Sequence, residues 1–239
     1  VTRWRDNAFG GQWVSSFLMK TLRKLRWILG AFVLLVGVLM GARFSGGVPR
    51  SFPVIPPYEH LTFVGQTKTA AAWAAIYQPE VYADAKRPRE PIEAIWFQIQ
   101  HKKGVYYFTY HPVWADETHP NALADVGYRI WRWAFYGAPS DIEAITLRIE
   151  AKTGNVSGVA YETARLDVAY DAAKPEHVRV KETLNAPLLP IRLYVRTWNH
   201  LLTRRSPKAA YAQKARLEAL TELHYVKYKM SRRAGPIIW

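Results

Sequence analysis

"IEAIWFQIQHKKGVYYFTYHP", residues 92–112, decides how the folded part of this chain is built. Ile95, Phe97 and Ile99 alternate with Trp96, Gln98 and Gln100. That is the period of two which sends successive side chains to opposite faces of a strand. Lys102-Lys103-Gly104 supplies a tight turn, and "VYYFTYHP" resumes with aromatic and β-branched residues suited to a pleated surface. The stretch predicts two antiparallel strands joined as a hairpin.

Working outward, the same period returns in "DIEAITLRIEAKTGNVSGVAYETAR", residues 141–165. There Ile145, Leu147 and Ile149 point one way, Thr146, Arg148 and Glu150 the other, and Thr153-Gly154-Asn155 turns into a second strand. "HVRVKETL" (177–184) and "IRLYVRTWNH" (191–200) add two more strand candidates. Helical signals are fewer. "KTAAAWAAIYQPEVYADAK" (68–86) suits a short Ala-rich helix stopped near Pro79. In "NALADVGYRIWRWAFYG" (121–137), Asn121 is the N-cap, Leu123, Val126 and Ile130 share a face, and Asp125 pairs with Arg129 four residues on. The tail starts a helix at Ser206-Pro207 and continues through Leu217, Leu220, Leu223, Val226 and Met230, about 26 residues or about 39 Å. The fold class expected is α+β or mainly antiparallel β, sandwich-like, with one surface helix, preceded by a single transmembrane helix and followed by a basic C-terminal helix.

The anchor is "RKLRWILGAFVLLVGVLMGARF", residues 23–44, in which Arg26 and Arg43 bracket sixteen uncharged, mostly apolar residues. Flanking Lys and Arg heads can snorkel and so complete the span. The run is apolar all round, unlike a core helix with one buried stripe. A cleaved signal would need a short basic start and a small-residue exit, whereas about 26 residues precede this run and only Ser45-Gly46-Gly47 resembles an exit. The run is expected to stay in the membrane. Upstream, Val14, Phe17, Leu18, Leu22 and Leu25 recur at helical spacing, with Lys20, Arg23 and Lys24 opposite. Five regions follow: a basic amphipathic cytoplasmic segment (1–26), the transmembrane helix (27–44), a Pro-rich linker (45–60), a β-rich extracytoplasmic domain (61–203) and a basic helical tail (204–239).

Net charge is +14, and it divides as +6 over residues 1–44, +1 over 45–200 and +7 over 201–239. The folded middle is neutral and the basicity belongs to the ends. Basic residues concentrated before the span place the N-terminus in the cytoplasm and the domain in the periplasm of a bacterial inner membrane. That topology removes nucleic acid as a partner for the tail. There are no cysteines, which excludes disulfides, Cys-ligated zinc, iron–sulfur clusters and CxxCH haem attachment. Nucleotide-binding glycine loops, HExxH, GxSxG and EF-hand loops are absent from the sequence.

One polar constellation stands out: Asp116 and Glu117 in "HPVWADETHP", Asp141 and Glu143 in "GAPSDIEAI", and His200 in "TWNH". On a strand, Asp141-x-Glu143 puts two carboxylates on one face about 7 Å apart, near enough to share a hard cation. His111 and His119, each followed by proline, read as loop punctuation.

Gly137-x-x-x-Asp141-x-Glu143 resembles, in its spacing, the Gly-His-Arg-His-Asp-Trp-Glu motif of necrosis-inducing-like and VPS62-like β-sandwich proteins. The resemblance covers residues 92–200, with Ala138 and Ser140 standing where the motif has histidines. It implies a β-sandwich with a divalent cation held by the acidic residues.

Two functional expectations result. The first is a non-catalytic accessory or assembly subunit of a multi-subunit bacterial membrane complex, photosynthetic or respiratory in kind, with no cofactor. Its contacts to other subunits and to anionic headgroups would run through Lys20, Arg23, Lys24, Arg26, Trp27, Trp198, Arg204, Arg205, Tyr225, Tyr228, Arg232, Arg233 and Trp239. The alternative is a membrane-tethered, divalent-cation-dependent hydrolase or envelope-ligand binding protein using Asp116, Glu117, Asp141, Glu143 and His200.

Overall fold

The computed structural model describes residues 10–44, 54–85, 91–165, 169, 172, 175–185, 189–228 and 230, and within the first helix the side chains of residues 22–41. The chain forms two compact units, Val1–Ser45 and Gly46–Trp239. In the first, α1 (Gly10–Phe44) begins well ahead of the apolar run. Its segment Leu22–Gly41 is long and apolar enough to cross a membrane, and none of it is buried. Arg23, Lys24, Arg26 and Trp27 lie exposed along it. The Lys20 side chain, like Arg232, Arg233 and Trp239, lies outside the described residues.

The second unit is a β-sandwich. Its larger, seven-stranded sheet contains β4 (Ile92–Lys102), β5 (Val105–Trp114), β6 (Asp141–Ile142), β7 (Ile145–Glu150), β8 (Val156–Ala164), β9 (His177–Thr183) and β13 (Arg216–Ala219). The order is β13-β4-β5-β7-β8-β9, with β6 also on β5. The four-stranded sheet is ordered β11-β10-β3-β12, from β3 (Glu80–Asp84), β10 (Arg192–Val195), β11 (Leu202–Thr203) and β12 (Ala210–Gln213). A hairpin of β1 (His60–Phe63) and β2 (Gln66–Thr69) leads into α2 (Ala70–Tyr77), whose N-cap Thr69 accepts from the Ala72 amide. The described pairings are antiparallel except β3 with β10 and β4 with β13.

The hairpin read from residues 92–112 forms as expected. Lys103 and Gly104 both take positive φ, 51° and 76°, which a two-residue turn needs to match the strand twist. Ile95, Phe97 and Ile99 then join Phe108, Tyr110, Ile145, Leu147 and Ile149 in one core, closed from the facing sheet by Val81, Leu193 and Leu202. Ile55 also reaches this core and donates its amide to the Ile99 carbonyl at 2.9 Å. The second half of the expected linker is therefore part of the sandwich.

The tail corrects the sequence reading. No long helix runs from residue 206; residues 210–213 and 216–219 are strands β12 and β13. Leu217 and Leu220 satisfy a helical period, but β4 presents an open edge whose backbone groups need partners, and Arg216–Ala219 pairs with it in parallel. Leu217 packs on the main core, and Leu220 joins Trp96, Val113, Ile142 and Met230 in a second cluster. Helix returns only as α4 (Glu222–Lys227), opened by a capping box between Thr221 and His224.

The remaining helix, α3 (Ala122–Tyr136), has the predicted ends. Asn121 Oδ1 accepts from the Leu123 and Ala124 amides, and Gly137 closes the helix at φ 85°. Its orientation is inverted. Leu123, Val126 and Ile130 face solvent at 88%, 62% and 50% exposure, while Arg132 on the opposite side is 4% exposed.

Candidate functional site

The inward side of α3 carries Tyr128, Arg132 and Tyr136, one residue per turn. Arg132 is held from every direction. Its Nε donates to the Pro139 carbonyl at 2.9 Å, and its Nη2 to the Ser140 carbonyl at 2.7 Å and to Asp141 Oδ1 at 2.9 Å. Its Nη1 pairs with Glu117 and donates to the Tyr128 hydroxyl at 3.3 Å. Tyr128 in turn donates to Glu117 Oε1 at 2.9 Å. The guanidinium lies 5.7 Å and 5.5 Å from the ring centres of Tyr128 and Tyr136. Lysine has one point charge and no planar fork, so only arginine fits this set of acceptors.

Asp141 links this network to His200, whose Nδ1 lies 3.0 Å from Asp141 Oδ2. The His200 ring stacks on Trp114, centroids 4.3 Å apart at 10°. Below Glu143, His111 is fully buried on β5. Its Nδ1 faces the Glu143 carbonyl at 3.3 Å and its Nε2 faces Gln98 Nε2 at 3.2 Å. These two contacts are met together when Nδ1 carries the proton and Nε2 accepts. Burial pulls the His111 pKa down to about 4, opposed by the hydrogen bond to Glu143, so the ring is neutral at pH 7.

A second cluster forms where β8 pairs with β9. Register places Glu162 opposite Arg179 and Ala164 opposite His177. Glu162 accepts from His177 Nδ1 at 3.0 Å and from Arg179 Nε at 2.8 Å. These two hydrogen bonds, His177 first, outweigh desolvation and hold Glu162 below the usual carboxylate range. Asn199 completes the chain, with Nδ2 3.0 Å from His177 Nε2 and Oδ1 accepting from Thr197 Oγ1 at 2.6 Å. Between the two clusters lies a cavity of about 310 Å³, lined by Glu117, Arg132, Asp141, Glu143, Glu162, His177, Arg179 and Asn199 with an aromatic wall of Tyr128, Trp131 and Tyr136.

The fold thus brings together Glu117, Asp141, Glu143 and His200, while Asp116 is drawn off to Arg129 at 2.6 Å. Arg129 also holds Asp125 at 2.7 Å, the predicted pair. As arranged, the acidic residues do not fit a divalent cation. The positive charge among them is the Arg132 guanidinium, which engages Glu117 and Asp141, and His200 turns its Nδ1 to Asp141. Among the described residues no group of three or more His, Asp and Glu is placed to share an ion.

Of the expected contact residues, Trp198 is internal and Tyr225 and Tyr228 are half-buried. Trp198 is buried, donates its indole to the Ala172 carbonyl at 2.8 Å and meets His119 and Tyr128 edge-on. Tyr225 and Tyr228 pack against the second cluster, Tyr228 lying 4.9 Å from Trp96. These rings cover core surface because the tail is bound into the sheet. Arg204 and Arg205 stay exposed. His119, read as punctuation, accepts from the Asn121 amide at 3.0 Å. The sequence reading missed Tyr128, Arg132, Tyr136, Glu162, His177, Arg179 and Asn199. A signal existed for the first three, since an arginine flanked by tyrosines at four-residue spacing forms a polar stripe opposite Leu123, Val126 and Ile130. The others meet through long-range strand register and leave no local trace.

No family model matches the chain, and no curated protein does. Among solved structures, NLPPya in complex with glucosamine is 10% identical with a TM-score of 0.43, over 80% of this chain and 87% of that one. The same protein with mannosamine gives the same values. A structure described as a toxin fold for microbial attack and plant defense is 11% identical, with a TM-score of 0.44 over the same shares. The chain resembles the necrosis-inducing-like proteins faintly. The β-sandwich itself is read from the strands described above.

Proposed function

We propose that this chain is a membrane-tethered, non-catalytic accessory subunit of a multi-subunit bacterial membrane complex, its β-sandwich lying outside the cytoplasm. The observation that carries this reading is the helical segment Leu22–Gly41, long and apolar enough to cross a membrane and with none of it buried. Within the domain, Glu117 and Asp141 are engaged by Arg132 and Glu162 by His177 and Arg179, so these three carboxylates are held by the chain's own basic groups. Arg23, Lys24, Arg26, Arg204 and Arg205 remain for subunits or anionic headgroups. Extraction of native membranes in mild detergent, followed by native sizing and identification of co-migrating chains, tests the reading. Co-migration with a defined larger assembly supports it, and a chain that runs alone overturns it.

The cavity favours a second reading, an envelope-ligand binding protein. Its volume of about 310 Å³ lies at the lower end for small-molecule sites, and an aromatic wall beside polar groups is the usual composition of one. Calorimetric titration of the purified full chain with calcium, magnesium and zinc distinguishes the cation-dependent form of this reading. One ion bound per chain supports that form, and no heat of binding removes it.

A further inference from the structure

The helix α3 has its polar side inward and its apolar side outward, the reverse of a helix laid on a soluble core. Leu123, Val126, Ile130 and Trp133 fall within one arc of about 80° at 100° per residue. The first three are half-exposed or more and Trp133 is exposed, while Ala134, one turn beyond Ile130, is buried and ends the stripe. On the flank, Arg129 engages Asp116 and Asp125, so charge at the rim is compensated. We infer that this face of α3 lies in the headgroup region of a lipid bilayer, as a second attachment of the domain besides α1.

Three observations select lipid over a protein partner. The stripe runs about 15 Å along one helix and covers on the order of a few hundred Å², well short of the roughly 800 Å² per partner of a stable protein interface. Burial of so small a patch holds only weakly when the chain is free in solution. It suffices once α1 keeps the domain at the membrane, because a tether turns the second contact into an intramolecular one; on this point the inference rests on the anchor reading above. The residue types also fit, since exposed aliphatic side chains with a tryptophan beside them, here Trp133, are what interfacial helices present.

The absence of cysteine allows unique labelling. Full-length Val126→Cys, Leu34→Cys and Lys152→Cys proteins, each carrying an environment-sensitive fluorophore, are reconstituted in phosphatidylcholine–phosphatidylglycerol vesicles with and without lipids bearing a quencher, at headgroup depth for the labels at 126 and 152 and deep in the acyl chain for the label at 34, which lies mid-span. The label at 126 is expected to lose about half its emission to the lipid quencher, as a side chain at the acyl boundary would. The label at 152, in an exposed turn, stays unchanged. Adding Ile130→Glu to the Val126→Cys protein is expected to restore the emission, and because residue 130 is exposed this change leaves the fold intact. Quenching at 34 but not at 126 overturns the inference and keeps the anchor. Quenching at 126 but not at 34 keeps the bilayer contact and removes the anchor. A label at 126 shielded from aqueous iodide yet indifferent to the lipid quencher assigns the face to a protein surface and overturns the inference.

Discussion

The Arg132 guanidinium donates to the Asp141 carboxylate across 2.9 Å with both side chains buried. A fixed charge of the chain thus occupies the acidic centre of this sandwich. Breaking such a pair from one side leaves an uncompensated charge, which costs more than the pair itself contributes. Arg132→Ala is expected to destabilise the domain by about 3–5 kcal/mol, read from the urea midpoint, because Glu117 and Asp141 stay buried without their cation. Arg132→Lys should recover only part of the loss, since one ammonium cannot reach the Pro139, Ser140, Asp141 and Glu117 acceptors together. Full recovery by lysine would show that charge alone matters at this position.

His200 and Asp141 should be coupled. Single and double substitutions His200→Phe and Asp141→Asn, measured for unfolding free energy, are expected to give an interaction term of about 1–3 kcal/mol. A term near zero would mean that the 3.0 Å contact contributes nothing beyond the stacking of His200 on Trp114.

Stability should fall with acid through His111. Its pKa is about 4 in the folded state, below the ordinary 6.5, so the unfolded chain binds the proton more readily in the window between those values. Stability is therefore undiminished above pH 6.5, declines as pH drops towards 4, and this group adds no further change below that. Between pH 8 and pH 5 the loss is about 2 kcal/mol from this residue. His111→Gln is expected to be less stable at pH 7 but to show a flatter profile over that window. An unaltered slope would assign the acid sensitivity to other groups.

Gly154 sits at φ 68°, and a Cβ added there would meet Tyr77 Oη at 3.0 Å and Phe63 Cβ at 3.1 Å. Gly65 has a similar φ of 73° with open space around it. Gly65→Ala should cost about 1 kcal/mol from backbone conformation alone, and Gly154→Ala about 1–3 kcal/mol, because the Tyr77 hydrogen bond to the Gly154 carbonyl must also shift. Equal losses in thermal unfolding would show that the close approach is relieved without cost.

The inverted helix makes a separate stability forecast. Leu123→Ser and Val126→Ser should change unfolding free energy by no more than about 0.5 kcal/mol, as exposed positions do. Leu147→Ala in the core should cost about 2–5 kcal/mol. A large loss at Leu123 would mean that the face is covered within the domain.

The sequence by itself determined the local elements. Alternation at Ile95, Phe97 and Ile99 and at Ile145, Leu147 and Ile149 fixed which faces enter the core, because the strand period leaves only two choices. Asn121 and Gly137 bounded α3, since capping chemistry acts over three or four residues. The apolar run before Gly41 was equally plain. Tertiary structure alone decided the rest. Leu217 and Leu220 fit a helix by period, yet the open edge of β4 offered backbone partners that the local sequence does not encode. The face shared by Leu123, Val126 and Ile130 was legible, but not its outward direction, which follows from burying Arg132 against Glu117 and Asp141. Glu162, His177 and Asn199 meet only after β8 and β9 register and residue 199 folds back. Local periodicity sets which side chains share a face, whereas long-range pairing and the need to neutralise buried charge set what each face meets.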